Sequence, residues 1–150
     1  MRAISITFSA LGSSKPKLLS LVPFDLANDR RLEPLRSLNL EHISPDALVR
    51  QEIQRHTHLG VAAENALKKQ QPLSEALLVA LLRKWFWARK PDAAFLLVGF
   101  PATLLQAKVL DEWLEARGEA LDGVLCADLT ALSSVAIHYR DQGLLLPLAA

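Results

Sequence analysis

Two short stretches carry residue types that phosphate chemistry requires. "SALGSSKPK" (Ser9–Lys17) sets Gly12 and Lys15 in a loop of small residues. A phosphate cradle needs glycines so that backbone N–H groups can approach oxygens closely. It also needs a Lys for the terminal phosphates and a Ser or Thr for magnesium. The stretch departs from the G-x-x-x-x-G-K-[ST] pattern. Ser9 and Ser14 stand where glycines belong, Lys17 falls near the hydroxyl position, and Pro16 removes a donor. Alone it reads as an ordinary strand–helix loop, with Lys15 its one candidate for catalysis. The second stretch, "FLLVGFPATLLQ" (Phe95–Gln106), is a buried-looking run that breaks at Gly99-Phe100-Pro101 and resumes as a helix. Such junctions are where α/β proteins place chemistry, yet this one holds no charged residue.

Other candidates have plainer readings. His56 and His58 flank Thr57 at a spacing that could begin a metal site, but no third ligand is evident, so a surface turn is expected. The single cysteine, Cys126, excludes an intramolecular disulfide and a cysteine zinc site. "KWFWARK" (Lys84–Lys90) sets three adjacent aromatics on a predicted helix. They cannot all face one core, so part of Trp85–Trp87 is expected to be exposed to a protein partner or a second copy of the chain.

The positioning elements alternate. Ala3–Phe8 predicts a first strand and Leu40–Ile43 a short second one. Ser44 caps a helix with Pro45 at its first position and Asp46 at the positive end of its dipole. Further helices are expected over Leu59–Lys69, after Ser74, after Thr103 (with Gln106 at capping-box spacing) and over Thr130–Gly143. Ala93–Phe100 and Leu121–Leu129 predict buried strands. The alternation predicts an α/β three-layer sandwich on a short parallel sheet. The 150 residues suit one domain spanning 1–150, and 51% hydrophobic with 22% charged residues excludes disorder. A net charge of +1 gives no reason to expect a nucleic-acid or membrane partner, and no apolar run is long enough to span a bilayer. The N-terminus is weak as a signal peptide, and a cytoplasmic protein is expected.

Taken in order, the lysine loop, "ISPDAL", "LG" (Leu59, Gly60), "PLSEALLVALL", "FLLVGFPATLLQAK" and "LDGVLCADL" resemble the adenylate kinase family of nucleoside monophosphate kinases. The resemblance implies a P-loop fold and, for these segments, the P-loop, the T-G-D-x-x-R start of the monophosphate lobe, the D-G-F-P-R-T-x-x-Q element and the next strand. It implies nucleotide contacts at Gly12, Lys15, Ser44, Asp46, Arg50, Gly99, Gln106 and Arg140, with Gln106 reading the base of the monophosphate. It also exposes losses. Thr-Gly-Asp is Ser44-Pro45-Asp46. The expected arginine is Val49, with Arg50 about 100° further round the helix. The magnesium-shell Asp is Val98, and the phosphate-gripping Arg is Ala102. The family's lid, last strand and last helix are expected to lack counterparts.

A single arginine finger is worth about 10³–10⁵ in phosphoryl-transfer rate. Losing two phosphate arginines, the magnesium carboxylate, two loop glycines and the lid implies a degenerate, catalytically inactive relative acting by weak nucleotide binding or protein interaction. ATP or AMP with magnesium would be its ligands if any binding survives, and no resident metal is expected. The alternative is a minimal active nucleoside monophosphate kinase passing phosphate from ATP to AMP.

Overall fold

The computed structural model describes residues 15–22, 40–127 and 133–147. The strand expected over Ala3–Phe8 and the loop residue Gly12 lie outside these residues. Five strands are described: β1 (Lys17–Ser20), β2 (Glu41–Ile43), β3 (Phe95–Val98), β4 (Gly123–Cys126) and β5 (Leu145–Pro147). They form one sheet in the order β2-β3-β1-β4-β5. β1 pairs in parallel with both β3 and β4, and β4 with β5. Every residue of β1, β3 and β4 is buried. Parallel strands covered on both faces need this continuous apolar character, which Leu18-Leu19 and Phe95–Val98 supply.

Two expectations are corrected here. The loop read through Lys17 ends earlier, because Lys17 opens β1. Its buried side chain ion-pairs with Asp92 at 2.5 Å. Its N–H donates to Asp122 Oδ2 at 2.8 Å, and Asp122 N–H donates back to the Lys17 carbonyl at 2.8 Å. A lysine can start a central strand because its charge is met by a carboxylate at the strand's amino end. Secondly, the family's last strand does have a counterpart, because β5 pairs with β4 through Val124↔Leu145. Between the preceding helix and β5 lie only residues 141–144, too few for a folded lid.

The chain divides into two compact units, Met1–His42 with Pro91–Ala150, and Ile43–Lys90. The second holds helices α1 (Pro45–Gln54), α2 (His58–Lys68) and α3 (Glu75–Ala88). Each has a hydroxyl cap: Ser44, Thr57 and Ser74 accept from Ala47, Gly60 and Leu77 N–H. α1 and α2 meet at Gly60. A Cβ there would lie 2.1 Å from the Glu52 carbonyl oxygen, so only glycine permits this approach. Glu52, itself buried, accepts from Thr57 Oγ1 at 2.6 Å and from Lys84 Nζ at 2.7 Å. Trp85 and Phe86 are buried on α3, and the Arg89 guanidinium lies 4.4 Å over the Phe86 ring. Trp87 is 41% exposed, so one of the three aromatics does face outward.

The sheet unit holds α4 (Leu104–Ala116) and α5 (Ser134–Arg140). Thr103 caps α4, and Gly118, at φ +70, follows its end. Asp111 on α4 takes His138 Nε2 at 2.6 Å and the Tyr139 hydroxyl at 3.5 Å, tying α5 to α4. Burial and the neighbouring Asp111 push the Tyr139 phenol far above its ordinary pKa.

Candidate functional site

In parallel sheets ligands bind outside the carboxyl ends of strands, at the point where connections diverge to opposite sides. Here that point lies between β1 and β3, since β1 leads outward past β3 to β2 while β3 leads back past β1 to β4. Ser20 and Val98, register partners, end the two strands.

After β3, Gly99 adopts φ +87, a conformation side chains resist, and its N–H donates to the Ser20 carbonyl at 3.4 Å. Phe100 is fully buried, and its bond to Pro101 is cis. Ala102 N–H donates to Gln106 Oε1 at 2.7 Å, and Gln106 N–H donates to Thr103 Oγ1 at 3.1 Å. The capping spacing read in the sequence is therefore realised, one residue outward from the usual reciprocal box. Gln106 is 4% exposed, and its amide oxygen is committed to holding the turn. That use competes with reading a base.

After β1, Ser20 Oγ donates to the Val22 carbonyl at 2.6 Å and accepts from Val22 N–H at 3.2 Å. Leu21 N–H donates to the Leu125 carbonyl at 2.8 Å. With β1 at Lys17–Ser20, the segment entering the phosphate position begins at Leu21. From Ser20 through Leu59 the sequence holds neither glycine nor lysine. Lys15, read in the sequence as following a first strand, stands before β1.

Lys15 is correspondingly displaced. It stands just before the amino end of β1, whose first residue pairs with Phe95, the first of β3. Gly99 is at the opposite end of the same strands. Arg140 closes α5 four residues before Leu144, whose carbonyl accepts from Val124 N–H as β4 begins. Arg140 thus lies toward the strands' amino ends, paired to Asp141 at 3.2 Å. Neither cation is brought to the Gly99 turn. The same cause acts on both: the strands carry these residues to their amino ends.

In the helical unit, Ser44 and Asp46 share the first turn of α1. Val49 is buried and Arg50 exposed, as expected from a helical step between them. The Glu52–Thr57–Lys84 network was missed, though a Thr immediately before an amphipathic run was a visible cap signal. Burial works against ionising Glu52. Hydrogen bonds from Lys84 and Thr57 and the charges of Lys84 and Arg55 outweigh it, holding the carboxyl below its usual 4.5.

These residues do not fit a magnesium–triphosphate group. Val98 offers a methyl surface where the resemblance expects a magnesium-shell carboxylate, and Ala102 offers no charge where it expects a phosphate-binding Arg. Among the described residues no cluster of three His, Cys, Asp or Glu could hold a metal ion, and no helix is long and apolar enough to cross a membrane.

No family model matches the chain. Curated relatives do. The chain is 38% identical over 88 residues to an adenylate kinase of Moorella thermoacetica, covering 59% of this chain and 41% of that protein. It is 36% identical over 94 residues to an adenylate kinase of Methanocella arvoryzae, covering 61% and 43%. A third, the adenylate kinase of Parabacteroides distasonis, is 30% identical over 113 residues, covering 75% and 53%. The match therefore spans about half of these relatives' length or less. With the 2-3-1-4-5 parallel sheet and the Gly-Phe-Pro turn at its switch point, these identities relate the chain to the adenylate kinases.

Proposed function

We propose that the chain is an adenylate kinase-like domain without phosphoryl transfer, acting by weak nucleotide binding or by protein interaction. The observation that carries this reading is the place of β1. With that strand at Lys17–Ser20, the chain leaves β1 at Leu21, and the sequence from there to Leu59 has no glycine and no lysine. Phosphoryl transfer works by positioning and charge neutralisation; the stretch lacks the glycines and lysine of a phosphate loop, and Val98 and Ala102 stand where the resemblance expects an Asp and an Arg. Calorimetry with AMP, ADP and ATP, each with and without magnesium, tests the reading. Weak binding unaffected by magnesium, or silence, is expected. Magnesium-dependent tight binding of ATP would overturn it.

The second reading is a minimal nucleoside monophosphate kinase using Lys15, Arg50 and Arg140 in shifted roles. The relatives' shared name favours it. It requires that Lys15→Met abolish a measurable activity, and an unchanged activity would remove it.

A further inference from the structure

The outer face of α3 carries a groove of about 410 Å³ lined by Ala76, Val79, Ala80, Arg83, Lys84 and Trp87. These positions recur at three- and four-residue steps, so they form one stripe along three turns of the helix. Ala76 and Ala80 let another backbone come close. Trp87, 41% exposed, closes the far end. Tryptophan and arginine are the residues most enriched where binding energy concentrates, and here one of each stands on the same strip. Neither is used by the turn after β3.

Charge identifies the occupant. The Ile43–Lys90 unit holds eight Lys and Arg against four Asp and Glu, a formal +4, within a chain whose total is +1. Lys84 is partly neutralised by Glu52, but its side chain remains 47% exposed at the groove. The floor is apolar and the rim is cationic. An amphipathic helix presenting small apolar side chains to the alanines, an aliphatic surface to Trp87 and carboxylates to Arg83 and Lys84 satisfies both. The geometry points to this groove as a docking site for an acidic amphipathic helix of a partner protein. It is independent of whether the chain binds nucleotide.

The test uses the full chain and a fluorescein-labelled 18-residue synthetic helix with Leu at i, i+3, i+4 and i+7 positions and Glu elsewhere, read by anisotropy. Saturable binding is expected, weakened at least tenfold by Trp87→Ala and by Arg83→Glu, and absent for the same helix with Lys replacing Glu. Arg83→Glu alters an exposed side chain and should keep the wild-type thermal midpoint, whereas Trp87→Ala also removes an edge-to-face contact with Phe86 at 5.3 Å, so binding is compared at a temperature where the measured midpoints show both variants folded. The proposal is overturned if the acidic helix does not bind, or if either variant stays within threefold of wild type. It is also overturned if anionic phospholipid vesicles or a single-stranded RNA 20-mer compete through Trp87 as well as the helix does. Light scattering that shows a dimer lost on Trp87→Ala would assign the groove to a second copy and overturn it equally.

Discussion

Gly60 and Glu52 show how few atoms hold the helical unit in shape. Glycine at 60 is required by distance alone, since a methyl would meet backbone rather than a side chain that could swing away. Gly60→Ala should therefore cost about 1–3 kcal/mol, the range for overpacking a well-filled site, read as a lower urea midpoint at unchanged slope. Glu52 adds a pH dependence whose sign is fixed by its lowered pKa. A carboxylate depressed in the folded state contributes stability above its unfolded pKa, and that contribution fades as pH falls through the folded value. Glu52→Gln should be less stable than wild type at pH 7, by about 1–2 kcal/mol for weakened charge-assisted hydrogen bonds to a half-exposed Lys84. The gap should close as the pH is lowered through 4.5 and below. A gap that widened on acidification would contradict this assignment.

Among the elements, the β3–α4 turn is the clearest case of a frame kept without its charges. Thr103 and Gln106 exchange bonds with the turn, Gly99 supplies its left-handed residue, and Ala102 sits exposed where the resemblance expects an Arg. Thr103→Ala should cost about 1 kcal/mol of stability through loss of the cap, seen as a lower denaturant midpoint. Ala102→Arg should leave stability unchanged and tighten AMP binding about 10- to 100-fold, the worth of one hydrogen bond to a charged group. Calorimetry checks this, and an affinity within twofold of wild type would show that no phosphate reaches the turn. The helices were readable because caps are local chemistry. Ser44, Ser74 and Thr103 announced three of them in sequence, and Gly118 and Gly143 marked two ends at positive φ. The strands were harder. β1 is four residues long and begins with a lysine, whereas Ala3–Phe8 offers a longer β-branched run. What makes Lys17 a core residue is Asp92, seventy-five positions away, which no local pattern reveals. β5 was missed because "LLLP" resembles a tail until β4 is there to pair with it.

For the whole molecule, one shift of register changes the reading of the site. Once β1 is Lys17–Ser20, Lys15 and Arg140 fall at the amino ends of the strands, and among the described residues the switch point holds Ser20, Leu21, Val98, Gly99 and Ala102. Composition could not show this, because a total of 17 Lys and Arg says nothing of where they stand. The departures at Val98 and Ala102 were legible from the family pattern, and the place of Lys15 before β1 needed the strand pairing. On the proposed reading, this relative of the adenylate kinases binds without turning over. The most direct measurement is a coupled assay of ADP formation by the purified chain with ATP, AMP and magnesium. The predicted result is a rate equal to that of a heat-killed sample. ADP formation well above that control, abolished by Lys15→Met, would contradict the account.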